Sequence, residues 1–165
     1  MINIAAFTLK FDPIEDRILL VGNLKSADPR IDFWMTRRLV MRLISAMPEM
    51  LSKLQESTEQ APQPHQAELA QFYHESAQQN VQVEREDHSL TTEQTDVLHR
   101  LDVSHRNGRF QLRFYGQDQE PVAVGVLTLE ELHQFLHLLH KGAQTLDWGV
   151  PKNLFDTQIK APTLQ

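Results

Sequence analysis

The stretch RILLVGNLKSADPRIDFWMTRRLVMRLISAM, residues 17–47, decides the fold because it has a counterpart later in the chain. That counterpart is RFQLRFYGQDQEPVAVGVLTLEELHQFLHLL, residues 109–139. The two stretches align without a gap at an offset of 92 residues, which places Pro29 on Pro121 and Thr36 on Thr128. The matches coincide with a turn, a proline, a helix cap and core positions. This pattern indicates an internal duplication.

Each copy reads as short strands followed by a helix. Thr36 and Thr128 stand where a helix N-cap belongs, and Glu131 gives the second helix the spacing of a capping box. Apolar residues then recur at i, i+3, i+4 and i+7, the stripe of a helix with one buried face. They are Val40, Leu43, Ile44 and Met47 in the first copy, and Leu132, Phe135, Leu136 and Leu139 in the second.

Turn residues set the expected strand boundaries. Asp12-Pro13 begins a turn after the first strand, and Asn107-Gly108 is the signal of a two-residue hairpin. Pro48 either kinks the first helix or begins another, and Gly142 is expected to end the second helix in the left-handed conformation. The predicted strands cover residues 4–11, 18–24, 31–35, 97–103, 110–114 and 122–127, with an additional strand at 81–85.

These elements predict an α+β fold of two similar antiparallel β-meander–helix halves. Packing the halves together with pseudo-two-fold symmetry would bury a face of each sheet. The first repeat is expected in residues 1–56 and the second in residues 81–142. A Gln/Pro-rich connector with a predicted helix at residues 65–79 spans residues 57–80, and a C-terminal arm spans residues 143–165. Together they are expected to form one compact domain.

Composition excludes several classes of protein and site. The 165 residues are 41% hydrophobic and 23% charged, which is typical of a soluble globular chain. The chain has no cysteine, which excludes disulfides, zinc–thiolate sites and cysteine nucleophiles. The beginning, MINIAAFTLKFD, lacks the basic and apolar regions of a signal peptide, and no stretch reaches 18 apolar residues. We therefore expect a cytoplasmic protein.

The formal net charge of −6 is distributed unevenly. Residues 1–56 carry 8 Lys and Arg against 7 Asp and Glu, whereas residues 57–165 carry 8 against 15. Binding to nucleic acid phosphates depends on clustered Lys and Arg. The balance therefore argues against duplex DNA covering the whole surface, and it leaves room for a local basic patch in the first half.

Histidines on the second helix are candidate metal ligands. His133, His137 and His140 stand at i, i+4 and i+7, with Glu130 three residues before the first of them. Two histidines four residues apart on a helix can bind one metal ion. The alternative is that these residues are the polar flank of the core stripe. No third ligand outside the helix is indicated, so the structural interpretation is favoured and no cofactor is predicted.

A second candidate site lies around the start of the first helix. It combines cations and an aromatic ring near a helix N-terminus, which could bind a phosphate or stack on a base. The alternative, which we favour, is that these cations pair with Asp32 or with acidic residues of the second half. The candidate anion- or nucleic-acid-binding residues are Arg30, Trp34, Arg37, Arg38 and Arg42.

No catalytic residues are predicted. The chain contains no GxSxG elbow, no GxGxxG and no phosphate-binding Walker pattern. The leading hypothesis is a non-enzymatic binding or assembly protein that acts through protein–protein contacts. A homodimer is expected, because the C-terminal arm carries apolar residues such as Trp148 and Phe155 that need a surface to cover them.

The second hypothesis follows from topology. Tandem units of antiparallel strands followed by a helix resemble the Pur-alpha and Whirly-type folds. That resemblance implies single-stranded nucleic-acid binding across a sheet, with contacts from exposed strand residues such as Arg100, Arg113 and Tyr115. Metal binding through the helical histidines is the third hypothesis.

Overall fold

The structure, a computed structural model, describes residues 1–58 and 95–155, and of residues 55–58 it describes the backbone only. The predicted connector helix, the strand at 81–85 and the end of the C-terminal arm lie outside these residues. Among the described residues, no helix has the length and apolar character needed to cross a membrane. The elements are β1 (Ile2–Ile4), β2 (Phe7–Asp12), β3 (Arg17–Gly22), β4 (Ile31–Met35), α1 (Arg37–Thr58), β5 (Thr95–Val97), β6 (Arg100–Arg106), β7 (Arg109–Tyr115), β8 (Ala123–Leu127) and α2 (Leu129–Thr145).

Within the described ranges, the strands form two four-stranded sheets, which together with two helices confirm a mixed α+β fold. Sheet A has the order β1-β8-β7-β6 and sheet B the order β2-β3-β4-β5. Three strands of each sheet are antiparallel, but β1 pairs parallel with β8, and β5 pairs parallel with β4. The prediction of purely antiparallel meanders is therefore wrong at these two edges, where a strand from one half of the chain joins the sheet of the other.

The chain changes sheets at two places where a single strand was predicted. Ala5 and Ala6 separate β1 from β2, within the predicted strand at 4–11. In the second half, the N–H of Leu98 donates to Trp34 in sheet B (2.8 Å), and that of His99 donates to Tyr115 in sheet A (2.9 Å). Alternation of side chains cannot reveal such a switch, because consecutive peptide groups simply bond to different sheets.

The tight turns have the predicted geometry. The carboxylate of Asp12 accepts hydrogen bonds from the N–H groups of Ile14 (3.0 Å) and Glu15 (3.1 Å), which closes the turn between β2 and β3. Asn107 and Gly108 have φ of 53° and 71°, as a type I′ hairpin requires. The sequence prediction of both turns is confirmed.

The core lies between the two sheets and the two helices. Phe33 of sheet B stacks on Phe114 of sheet A, with ring centroids 5.8 Å apart, and Phe7 of β2 meets Phe135 of α2 edge-on at 4.8 Å. All eight residues of the predicted helix stripes are buried. Since residues of both halves form one hydrophobic cluster, removing a large core side chain from either half should weaken the whole unit.

Both helices begin where predicted, and α2 ends later than predicted. The Thr36 hydroxyl accepts from Leu39 N (3.3 Å), and Thr128 and Glu131 form the expected capping box. α1 continues through Pro48, and α2 continues past Gly142.

The prediction that Gly142 ends α2 is wrong. A Cβ at this position would lie 2.6 Å from Phe11 Cε1 and 2.8 Å from Ile18 Cδ1. The glycine therefore serves close packing of α2 on sheet B rather than helix termination.

Candidate binding face

The outer face of sheet A, the side away from the core, carries a concentration of arginines. Side chains on a strand alternate between faces, and the strand registers arrange the outer ones in four rows. The rows are Arg100 with Tyr115; Asp102 with Arg113, Val124 and Asn3; Ser104 with Gln111 and Val126; and Arg106 with Arg109. We call this surface the arginine face. It has four arginines and one aspartate.

Two of these arginines face each other at the hairpin end. Arg106 and Arg109 are directly paired across β6 and β7 on either side of the Asn107-Gly108 turn, and both are exposed. Like charges directly opposite each other destabilise a strand pair. Within residues 1–58 and 95–155, neither arginine takes part in an ion pair. Their combined positive charge would therefore be stabilised by an anion from outside.

The opposite end of the face presents a stacked arginine. The guanidinium carbon of Arg100 lies 3.7 Å from the centroid of the Tyr115 ring, which is itself buried. Arg100 Nε also lies 3.2 Å from Asp102 Oδ1, yet the Arg100 side chain keeps 56% of its exposure. The tyrosine holds the guanidinium as a flat cationic surface whose other side is accessible.

Between the two ends the face is partly apolar. Val126 is 50% exposed and Val124 is half-buried, and they lie beside the more polar side chains of Gln111 and Arg113. Arg113 is exposed, and it too has no ion pair in the described part of the chain. The middle of the face can therefore contact an apolar or aromatic group while arginines surround it.

The corresponding face of sheet B is closed. Leu19, Val21 and Asp32 point away from the core cluster, yet their exposed fractions are only 2%, 1% and 1%. The edge of this face holds a second arginine–aromatic stack, with the Arg17 guanidinium 3.7 Å from the Trp34 ring centroid. Arg17 also pairs with Glu15. This face is therefore not available to a partner in the way the arginine face is.

The predicted anion-binding residues at the start of α1 do not form one group. Arg30 makes two hydrogen bonds to the buried Asp32 (2.9 and 2.7 Å), which raise the arginine pKa. Trp34 lies under Arg17, and Arg37 Nη2 donates to the carbonyl of Trp148 at 3.5 Å. The two remaining residues, Arg38 and Arg42, are exposed on α1.

Two of the predicted metal-ligand histidines, His133 and His140, contact the C-terminal segment, residues 146–155. His140 Nε2 is 2.6 Å from the Pro151 carbonyl oxygen, and the buried ring of His133 packs 5.9 Å from that of Phe155. Burial lowers the pKa of all three histidines, that of His133 to about 4. Glu130 is exposed, and the described residues include no group of three side chains placed to hold a metal ion.

Sequence reasoning missed two kinds of residue. Arg106 and Arg109 had a usable signal, since they flank the Asn-Gly turn and a two-residue hairpin fixes them opposite each other. Asn23 had no such signal. Its side chain accepts from Ala5 N (2.9 Å) and donates to the carbonyls of Asn3 (2.7 Å) and Pro29 (3.0 Å), which holds the chain where it passes from β1 to β2.

Comparison with known proteins identifies no relative: no family model, curated protein or solved structure matches this chain.

Proposed function

We propose that this chain is a non-enzymatic binding protein, and that its partner occupies the arginine face with a negatively charged surface. The observation that carries the proposal is the pairing of Arg106 with Arg109 on an exposed strand pair without a described counter-ion. Positive charge gathered on one face of a protein with a net charge of −6 attracts an anionic partner locally, although the molecule as a whole repels it.

A cation exchanger tests this proposal directly. At pH 7.5 and about 50 mM salt, a protein of this net charge is expected to flow through unless its cations are clustered. We expect the intact chain to be retained. The variant with Arg100, Arg106, Arg109 and Arg113 all changed to Gln should flow through.

The matched control is the double variant Arg38→Gln/Arg42→Gln, which removes two exposed arginines from α1. It should be retained like the unmodified chain. If the unmodified chain flows through, the proposed function is wrong. A second arginine-face variant, Arg106→Gln/Arg109→Gln, removes the same number of charges as this control. If the two double variants elute at the same salt concentration, the charge responsible for retention is not on the arginine face.

We also propose that the fold arose by internal duplication with pseudo-two-fold symmetry. Three pairs of elements begin 92 residues apart, the same offset that aligns the two sequence stretches. Strand β3 begins at Arg17 and β7 at Arg109, β4 begins at Ile31 and β8 at Ala123, and α1 begins at Arg37 and α2 at Leu129. Each sheet also contains an edge strand from the other half. The two outer sheet faces are then related surfaces, of which only that of sheet A has become a binding face.

The homodimer expected from the C-terminal arm stays a prediction. Trp148 and Phe155 are buried within the chain, and Trp148 Nε1 donates to Asp16 (2.6 Å), so these two residues do not supply the proposed contact. Sedimentation of the intact chain measures the oligomeric state without removing core residues. A monomer at all concentrations would contradict the dimer and would leave the arginine-face proposal unaffected.

A further inference from the structure

We propose that the partner of the arginine face is a single-stranded nucleic acid, lying across β6, β7 and β8. This inference rests on the proposed function and names the chemistry of the partner. The face provides separate groups for the two parts of a nucleotide: paired arginines for phosphate and stacked or apolar groups for the base. An acidic protein surface would bind the paired arginines but would not need the stacked and apolar groups.

The phosphate-binding part is the hairpin end. All the cations of the face are arginines, whose planar guanidinium binds phosphate with two parallel hydrogen bonds, whereas lysine acts as a point charge. Arg106 and Arg109 are on neighbouring strands and directly opposite each other, so that both can reach one phosphate. A phosphate between them would replace their mutual repulsion with attraction.

The base-binding part begins at the other end. The Arg100 guanidinium is already held flat on Tyr115, which leaves its second side exposed as a stacking surface. Nucleic-acid bases stack on arginine planes as they do on aromatic rings. The acidic residues Asp118 and Glu120 lie in the exposed loop between β7 and β8, at the Tyr115 end of the face. Their negative charges would repel a phosphate there but would not repel a neutral base.

The middle of the face joins these two ends. Val124 and the half-exposed Val126 offer apolar contact to base faces, Gln111 offers hydrogen bonds to base edges, and Arg113 offers a further phosphate contact. From Arg100 to Arg106 the strand has seven residues, and its six steps of about 3.4 Å give a length of about 20 Å. An open sheet of this length suits splayed, unstacked bases, which only a single strand can present.

The primary measurement is fluorescence anisotropy of labelled oligothymidylate and oligouridylate with the full chain, at several salt concentrations. We expect binding that weakens as salt rises. Arg106→Gln/Arg109→Gln should weaken binding about tenfold or more and lower the salt slope by about 0.7, because the two arginines share one phosphate and each neutralised phosphate on a single strand contributes about 0.7. The control Arg38→Gln/Arg42→Gln removes the same charge and should leave affinity and slope unchanged.

Stacking is separated from charge by Arg100→Lys. This variant keeps the cation and loses the plane, so binding should weaken about fivefold or more while the salt slope stays the same. If Arg100→Lys binds as tightly as the unmodified chain, the stacking role is wrong. Circular dichroism and the thermal midpoint of each variant verify that the fold is retained, as exposed positions lead us to expect.

Competitors identify which proposal fails. Polyglutamate should compete much less well than oligothymidylate; equal competition would overturn the nucleic-acid partner and keep the anionic one. Duplex DNA bound as tightly as the single strand would overturn the single-stranded assignment. No binding of any oligonucleotide, combined with retention on the cation exchanger, would overturn this inference alone. Absence of both would overturn the proposed function as well.

Discussion

The outer faces of the two sheets differ in burial and charge, although both sheets have the same arrangement of one parallel and two antiparallel strand pairs. On sheet B, Leu19 and Val21 are almost completely buried, and Asp32, the cross-strand partner of Val21, makes two hydrogen bonds with Arg30. On sheet A, the residues at the 92-residue offset from Leu19 and Val21 are Gln111 and Arg113, and the latter is exposed. Similar backbones thus carry a closed face and an open one.

The outer face of such a sheet is therefore not constrained by the core beneath it. Alternation lets the inner positions of each strand remain apolar while the outer positions change independently. A buried outer face contributes to stability through the hydrophobic effect, and an exposed one is available for binding. Substitutions at matched positions on the two faces should therefore have opposite consequences for folding and for function.

The largest effect is expected for one new residue placed at two matched positions. Val21→Glu buries a carboxylate directly opposite Asp32, and it should lower the free energy of unfolding by about 4 kcal/mol. Arg113→Glu places the same side chain on the open face and should change it by less than about 1 kcal/mol. Urea denaturation measures both values. Equal losses would contradict the contrast between the faces.

The buried side of the molecule should also make stability depend on pH. Burial lowers the pKa of His133 to about 4. Between pH 6.5 and pH 4, His133 is therefore mostly protonated in the unfolded chain and mostly neutral in the folded chain. The contribution of His133 leaves the free energy of unfolding unchanged above pH 6.5. Below that it lowers the free energy of unfolding progressively, by about 3 kcal/mol at pH 4.

Urea denaturation at a series of pH values measures this dependence. In His133→Gln the part of the pH dependence due to His133 should disappear, while contributions from His137 and His140, whose pKa values are also lowered, should remain. A variant with the same pH profile as the unmodified chain would show that His133 is not the group responsible.

A smaller effect is expected at the passage from sheet A to sheet B. Asn23→Ala removes three part-buried side-chain hydrogen bonds to the backbone, so it should lower the free energy of unfolding by about 2 kcal/mol. Asn3 is the matched control, since only its backbone carbonyl takes part and its side chain is exposed. Asn3→Ala should stay within about 0.5 kcal/mol. Similar values for the two variants would show that the Asn23 side chain does not hold this passage.

Much of the fold could be predicted because the signals were local. Both helix caps, the Asp12 and Asn107-Gly108 turns and the apolar helix stripes depend on residues within a few positions of each other. The errors came from distant residues. Gly142 has the sequence features of a helix end, and only the proximity of Phe11 and Ile18 gives it a different role.

The candidate site was predictable only in part. Arg100 and Arg113 are exposed strand residues, as predicted, but the prediction that Tyr115 is exposed is wrong, because its ring is buried beneath Arg100. The cluster at the start of α1 received more weight in the sequence analysis. In the structure, Arg30 donates a hydrogen bond to Asp32, and Arg37 donates one to the Trp148 carbonyl. The sequence could not show that the chain's own C-terminal segment contacts two of the histidines on α2, His133 and His140.

Local patterns in the sequence predicted most of the strands, the starts of both helices, the tight turns and the apolar side of each helix, because these properties depend on short-range periodicity and steric preference. The tertiary structure was needed to show which strands share a sheet, where a predicted strand divides between the sheets, and that one outer face is buried while the other is open. Those outcomes depend on contacts between residues far apart in the chain, for which a local pattern carries no information.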